Sequence, residues 1–237
     1  MKDNASVGHS RPAVFLAALK YSVPVFLGYT TIGIAFGFMV SGAGYPWWLA
    51  VVMSLWMYAG AGEFIALGLF TAGTNLLEAC LVQLVVNIRH VAYGFSMFKR
   101  FRGLGPFKPY LIFSLTDETF ALLSSMPEMP EEERRHFMFY VAALDQFYWT
   151  GASAVGALAG ALIPFEIKGI GFALTALFVV LMMEQIRKIK KSGVFIVSAA
   201  AALLGVFILP GRVSLLAALA LALILSALVE RMGRREK

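Results

Sequence analysis

Glu63 closes the segment Tyr58-Ala-Gly60-Ala-Gly62 and is followed by Phe64, and further along the chain come Asn87, Arg89, His90 and Tyr93. A carboxylate, an amide, a guanidinium and an imidazole thus occur in sequence apolar enough for a bilayer, where ionisable groups are costly and commonly functional. Together such groups are read as lining a transport site. Glu63 follows a Gly-x-Gly break, where freed backbone groups must find partners in protein or in a hydrated cavity. A carboxyl group there is a candidate proton carrier or substrate contact. The alternative is permanent pairing with Arg89 or His90 as a structural tie.

Asn87, His90 and Gly94 share one helical face at i, i+3 and i+7, and Arg89 is turned about 100° from His90. His90 either exchanges protons or only hydrogen-bonds a carbonyl. Arg89 is either a ligand or a side chain reaching toward the membrane interface ahead of Lys99. Asp117 and Glu118 fall in a short, partly apolar stretch, and Asp145 stands one turn before Trp149. That last spacing suits an ammonium group through charge and ring face, against plain solvation of Asp145.

The elements that must position these residues are helices in a membrane. Of 237 residues 59% are hydrophobic and 14% charged, with mean hydropathy +0.77, against about 25% charged in an average soluble protein. No alternating strand pattern is present, so the expected fold is an all-α polytopic membrane protein, a single transmembrane domain over 1–237. It includes a short polar segment at 1–19 and a basic tail at 231–237. The net charge of +6 comes from Lys and Arg clustered at the ends of apolar runs. This is the positive-inside pattern, not a nucleic-acid surface. The single Cys80 excludes an intrachain disulfide and is expected in the core. With no HExxH, GxSxG or GxxxxGK[ST] pattern, neither a metal site nor a cofactor is expected, and the chain is not read as an enzyme.

Helices are expected over 21–42, 49–70, 76–98, 110–126, 137–164, 169–183, 194–209 and 213–229. The polar start is expected to carry no cleavable signal, so the first helix stays. Its Gly33 and Gly37 permit close helix contact, or simply pack. Gly60 and Gly62 each weaken a helix by about 1 kcal/mol relative to alanine, so a break is expected at 59–62. If every segment crosses and the N-terminus is inside, the basic loop 99–109 falls outside. If 49–70 and 110–126 each dip and return, then loops 99–109, 127–136 and 187–191 and both termini lie in the cytoplasm. The basic bias prefers this arrangement, six full spans plus two broken or re-entrant segments, with seven or eight spans as the alternative. Half-helices of about ten residues reach about 15 Å, halfway into an apolar core of about 30 Å, and such broken helices recur at transporter binding sites.

The motifs Ala59-Gly60-Ala61-Gly62-Glu63-Phe64, Asn87-Ile88-Arg89-His90-Val91-Ala92-Tyr93-Gly94, Leu115-Thr116-Asp117-Glu118-Thr119-Phe120 and Asp145-Gln146-Phe147-Tyr148-Trp149, with the glycine-rich first helix, resemble the AzlC family of branched-chain amino-acid permeases. The resemblance covers most of the chain. It implies export of small hydrophobic amino acids across a prokaryotic inner membrane, with a small AzlD-type membrane subunit as partner and a homo-oligomer left open. The position of Glu63 is usually glutamine in that family, which leaves the substrate range and coupling ion open here. For such a substrate Glu63, Asp117 or Asp145 would meet the ammonium, and Arg89 or half-helix N-termini the carboxylate. Phe64, Tyr93, Phe120 and Trp149 would wall the side chain. A channel-like or structural membrane subunit is the alternative, and an intramembrane enzyme a more remote one.

Overall fold

The computed structural model of the chain describes residues 11–162 and the isolated helical positions Val179, Met183, Ala200, Leu203 and Leu204. The spans expected at 169–183 and 194–209, those five positions apart, lie outside the described residues, as do the span at 213–229, the loop 187–191 and the tail 231–237. Helices follow one another in the order α1 (Arg11–Gly42), α2 (Trp47–Trp56), α3 (Ala61–Thr71), α4 (Leu76–Met97), α5 (Lys108–Phe113), α6 (Asp117–Ser125) and α7 (Glu131–Leu162). No strand occurs among the described residues. Two helices, α1 and α4, are long and apolar enough to cross a membrane.

Packing divides the chain into two compact units, one of residues 1–74 and 86–168, the other of residues 75–85 and 169–237. The first carries nearly everything described. Its frame is the pair α1 and α7, each of 32 residues and therefore about 48 Å long. The two backbones meet at glycines. A Cβ built on Gly33 would stand 2.8 Å from Ala152 Cβ, one on Gly37 would overlap the backbone at Ser153 and Ala157, and one on Gly156 the backbone of Ile34. The small residues spaced four apart in α1 are thus a close-contact surface and not loose packing.

Helix α1 starts at Arg11, ten residues before the expected 21. Lys20 interrupts the apolar run just before residue 21, but its side chain is exposed while Val14 and Ala18 on the opposite face are buried. One charge facing outward does not end a helix whose other face packs. Helix α7 begins at Glu131, where Pro130 and the three acids after it resemble a helix start in the sequence, and runs without a gap into the helix expected from 137; the Pro130 carbonyl accepts from Arg134 N–H at 2.9 Å. Three glutamates in its first turn suit the positive end of the dipole. Phe137, Met138, Val141 and Ala142 then pack with Val14, Ala18, Leu111, Leu115 and Leu123 in one apolar cluster.

The segment 49–70 is broken, as its glycines predict, but the break lies at 57–60 and Gly62 is already inside α3. Tyr58 has φ 40° and Gly60 φ 50°. The left-handed region costs a non-glycine residue roughly 1–2 kcal/mol. Tyr58 is held there by burial, its side chain being 3% exposed. The segment 110–126 is broken too: α5 ends at Phe113 and α6 starts at Asp117, with Thr116 Oγ1 capping it by accepting from Thr119 N–H at 3.2 Å. A threonine N-cap satisfies one of the four free N–H groups of a helix start.

Cys80, expected in the core, is exposed on α4. Nothing polar is left unsatisfied by that placement, because a thiol behaves as a small hydrophobe.

Candidate functional site

The break between α2 and α3 exists in order with the carboxylate beside it. Glu63 sits in the first turn of α3 and is wholly buried. Its Oε1 accepts from Ala59 N–H at 3.1 Å and from Trp149 Nε1–H of α7 at 2.9 Å, and its Oε2 accepts from Ser54 Oγ–H of α2 at 3.2 Å. A glutamate at the third helical position that accepts from a backbone N–H ahead of the helix resembles one half of a capping box, shifted here to Ala59, one residue before the N-cap Gly60. Here the same carboxylate also ties α3 to α2 and α7. Around it Phe36 and Phe64 meet edge to face at 5.2 Å between centroids, and Phe36 stacks on Trp149 at 6.1 Å. The cage therefore has a polar floor and an aromatic wall. Gly62 belongs to it for a steric reason: a Cβ there would lie 3.0 Å from Ala59 Cβ and 3.1 Å from Asn87 Nδ2, so only glycine lets Asn87 approach the break.

Pairing of Glu63 with Arg89 or His90 does not occur. Arg89 Nη1 instead lies 2.7 Å from Asp117 Oδ2 at the start of α6, both side chains about a third exposed (34% and 32%). His90 Nδ1 is 3.0 Å from the carbonyl oxygen of Asn87 in its own helix, and its ring meets Tyr93 edge to face. Tyr93 in turn stacks on Phe120 at 4.5 Å and 10°. The aromatics expected to form one wall are thus two groups, Phe64 with Trp149 and Tyr93 with Phe120. An exposed ion pair contributes only about 0–1 kcal/mol, so Arg89→Ala should change thermal stability little. Arg89→Asp should cost more by facing Asp117 with a second acid, and the double reversal Arg89→Asp with Asp117→Arg should recover the loss. Melting of detergent-purified protein followed by size-exclusion chromatography measures each step.

Asp145, for which solvation was the alternative, is fully buried. Its Oδ2 accepts from Thr119 Oγ1–H at 2.8 Å, while Oδ1 has no hydrogen bond among the described residues. The reason is the length of α7: with its start at Glu131, Asp145 lies four turns in, level with α6. The Tyr58 hydroxyl, buried with Thr119 and Asp145 as neighbours, also makes no hydrogen bond of regular geometry. Gln146, next in the chain, accepts from Tyr110 Oη–H at 2.8 Å and donates to Leu55 carbonyl oxygen at 3.2 Å. A cleft of about 320 Å³ beside it is lined by Leu55, Gln146, Phe147, Thr150 and Ala154.

Four participants escaped the sequence reading: Ser54, Tyr29, Thr116 and Thr119. Tyr29 Oη donates to Glu118 Oε2 at 2.9 Å and lies 2.7 Å from Thr116 Oγ1; Thr116 Oγ1 is 3.1 Å from Thr119 Oγ1. The spacing Thr116-x-x-Thr119 is a helix-cap signal. No sequence signal points to Ser54 or Tyr29, which reach the site through tertiary packing alone. No cluster of histidine, cysteine and carboxylate side chains suited to a metal occurs among the described residues.

Comparison with known proteins identifies the family. Residues 24–163, which hold both breaks and all the polar groups above, match the family model described as "AzlC protein". The chain is 36% identical over 179 residues to the branched-chain amino acid transport protein AzlC of Bacillus subtilis, covering 76% of this chain and 70% of that one. It is 38% identical over 180 residues to a Helicobacter pylori protein named only as a membrane protein, covering 76% and 79%. With the inner membrane protein YgaZ of Escherichia coli it shares 29% identity over 214 residues, 86% of each chain. No solved structure matches. The chain, helical in its described residues, therefore belongs to the AzlC family, a family of bacterial membrane transport proteins and not of enzymes.

Proposed function

We propose that this chain is the larger subunit of a secondary transporter that exports branched-chain and related hydrophobic amino acids across the cytoplasmic membrane, coupled to a proton or other ion, with a small AzlD-type subunit as partner. The observation that carries the reading is the Glu63 cage. A carboxylate wholly removed from solvent is held by three donors at a helix break and flanked by aromatic rings. The printed name of the Bacillus subtilis relative supports the substrate class. A zwitterionic aliphatic amino acid needs an apolar wall and two poles. Phe64 and Trp149 serve the side chain, the unbonded Oδ1 of Asp145 meets the ammonium, and the N-terminus of a half-helix, or Arg89, meets the carboxylate. Glu63 couples the site to the ion.

Flux of leucine, isoleucine, valine and methionine from liposomes holding the chain, with and without the small subunit and with an imposed proton gradient, tests this. Saturable flux of at least one of them is expected. No flux under any of these conditions refutes the reading.

The topology belongs to the same proposal: one transporter domain, six full spans, and α2/α3 and α5/α6 entering and leaving on one side, with both termini cytoplasmic. The two interrupted segments support it, since α2 and α3 at 10 and 11 residues each reach only about 15 Å. A cysteine at Ala72, in the turn after α3, in a Cys80→Ser background should react with an impermeant maleimide from the periplasm. Labelling from the cytoplasm alone would overturn the fold-back.

A further inference from the structure

A line of oxygen atoms runs through the first unit from an exposed carboxyl group to a buried one. Glu118, exposed at the start of α6, accepts from Tyr29 Oη at 2.9 Å; Tyr29 Oη meets Thr116 Oγ1 at 2.7 Å; Thr116 Oγ1 meets Thr119 Oγ1 at 3.1 Å; Thr119 Oγ1 meets Asp145 Oδ2 at 2.8 Å. These are four links, and the three hydroxyl groups own three hydrogens. With both carboxyl groups ionised, one link in every arrangement has two lone pairs facing each other. Such a contact is unfavourable for the buried oxygen in it, Tyr29, Thr116, Thr119 or Asp145, because a desolvated acceptor without a donor loses its hydrogen bond outright.

One added proton fills all four links, and it does so in two ways. Placed on Glu118, it makes every hydroxyl point inward, ending on Asp145. Placed on Asp145, it makes every hydroxyl point outward, ending on Glu118. In both states Thr116 Oγ1 also accepts from Thr119 N–H, so the helix cap holds its oxygen in line without using its hydrogen. The two states interconvert when the Glu118 O–H bond breaks, each hydroxyl gives its hydrogen to the next oxygen, and an O–H bond forms on Asp145. One unit of positive charge moves inward and no atom is left over.

We infer that Tyr29, Thr116 and Thr119 form a proton relay through which Glu118 and Asp145 share a single proton, delivering it from the exposed to the buried carboxyl group. This rests on the transport reading for its purpose but not for its chemistry. The other ionisable groups around it are few. Asp117 and Arg89 face Glu118, and their pair is closed on itself. Tyr58 and Tyr110 face Asp145. Neither phenol replaces a link, since Tyr110 donates to Gln146 and Tyr58 stands beside the line, not in it. At Asp145 the arriving proton meets the atom pair proposed for the substrate ammonium. Proton and substrate then exclude each other, which is what opposite movement of the two requires.

Thr119→Val and Tyr29→Phe each delete one oxygen at nearly constant shape. In liposomes, leucine-driven proton movement read by an internal pH dye is expected to fall at least about ten-fold in both, a loss of about 1.4 kcal/mol or more in barrier terms. Thr119→Ser should restore the coupled signal. Coupled flux that persists in both variants overturns the relay. Should the unaltered protein move no leucine, the transport reading fails, and infrared difference spectra across a pH jump still decide the relay. One protonated carboxyl band that is lost in Asp145→Asn and in Glu118→Gln, survives Glu63→Gln and shifts in Thr119→Val supports it. A band that survives both carboxyl substitutions, or ignores Thr119→Val, overturns it.

Discussion

Glu63→Leu is expected to abolish folded protein, whereas Glu63→Gln is expected to accumulate as the unaltered chain does. Leucine would leave Ala59 N–H, Trp149 Nε1–H and Ser54 Oγ–H, all now donating to Glu63, without an acceptor. Each orphaned buried donor costs about 1–3 kcal/mol, and total stabilities are only about 5–15 kcal/mol, so two such losses are enough to matter. Glutamine keeps the geometry: its carbonyl oxygen takes the place of Oε1 and accepts from Ala59 and Trp149, while its amide donates to Ser54 Oγ, whose hydroxyl turns. The resemblance to a family that usually carries glutamine here fits that tolerance. Fluorescence-detected size exclusion after detergent extraction measures the fold. What glutamine cannot do is bear charge or release a proton, so the pH profile of transport should change in Glu63→Gln while its yield does not. An unchanged profile would remove Glu63 from ion coupling and leave it a structural clasp.

Gly37→Leu and Gly156→Leu should each be comparably damaging, for a reason unrelated to chemistry. Both glycines lie where the backbones of α1 and α7 touch, and a first carbon at either one overlaps main-chain atoms of the other helix. Main chain inside a helix has no rotamer to turn aside, so the helices must separate. Overpacking commonly costs about 1–3 kcal/mol and occasionally more. Gly37→Ala should already lower the melting temperature of purified protein. Gly28→Ala serves as the control, because nothing lies within 4 Å of a Cβ there and exchanging glycine for alanine inside a helix stabilises by roughly 0.5–1 kcal/mol. If Gly37→Ala and Gly28→Ala behave alike, the close contact of α1 and α7 is wrong.

The damage at Gly37 would also travel. Separating α1 from α7 parts the rings of Tyr29 and Trp149, which meet edge to face at 5.2 Å, and each of these side chains belongs to one of the two polar assemblies. A distant glycine and a buried carboxylate then report on one structure.

By itself the sequence determined the class of protein and the helices found among the described residues. Hydropathy and Lys/Arg placement require no partner to be read, and helix breaks at glycines or at a Thr-capped start are local effects of backbone conformation. Thus it was legible that the segments 49–70 and 110–126 are interrupted, whereas the places of the breaks, 57–60 and 114–116, and Tyr58 as the strained residue were not. Tertiary structure decided who meets whom. Arg89 and Glu63 attract in any sequence-based account, yet Arg89 pairs with Asp117 and Glu63 with three neutral donors. Which charges meet depends on helix rotation and depth, and a single sequence carries no record of either. Ser54, Tyr29 and Thr119 look like ordinary helix residues until α2, α1 and α6 bring them within hydrogen-bonding distance of a buried carboxylate. Asp145 changed most, from a residue for which solvation was the alternative to the inner end of a hydrogen-bonded line. Its burial follows from six added residues at the start of α7 and from α6 lying against it, a matter of packing that spacing alone does not contain.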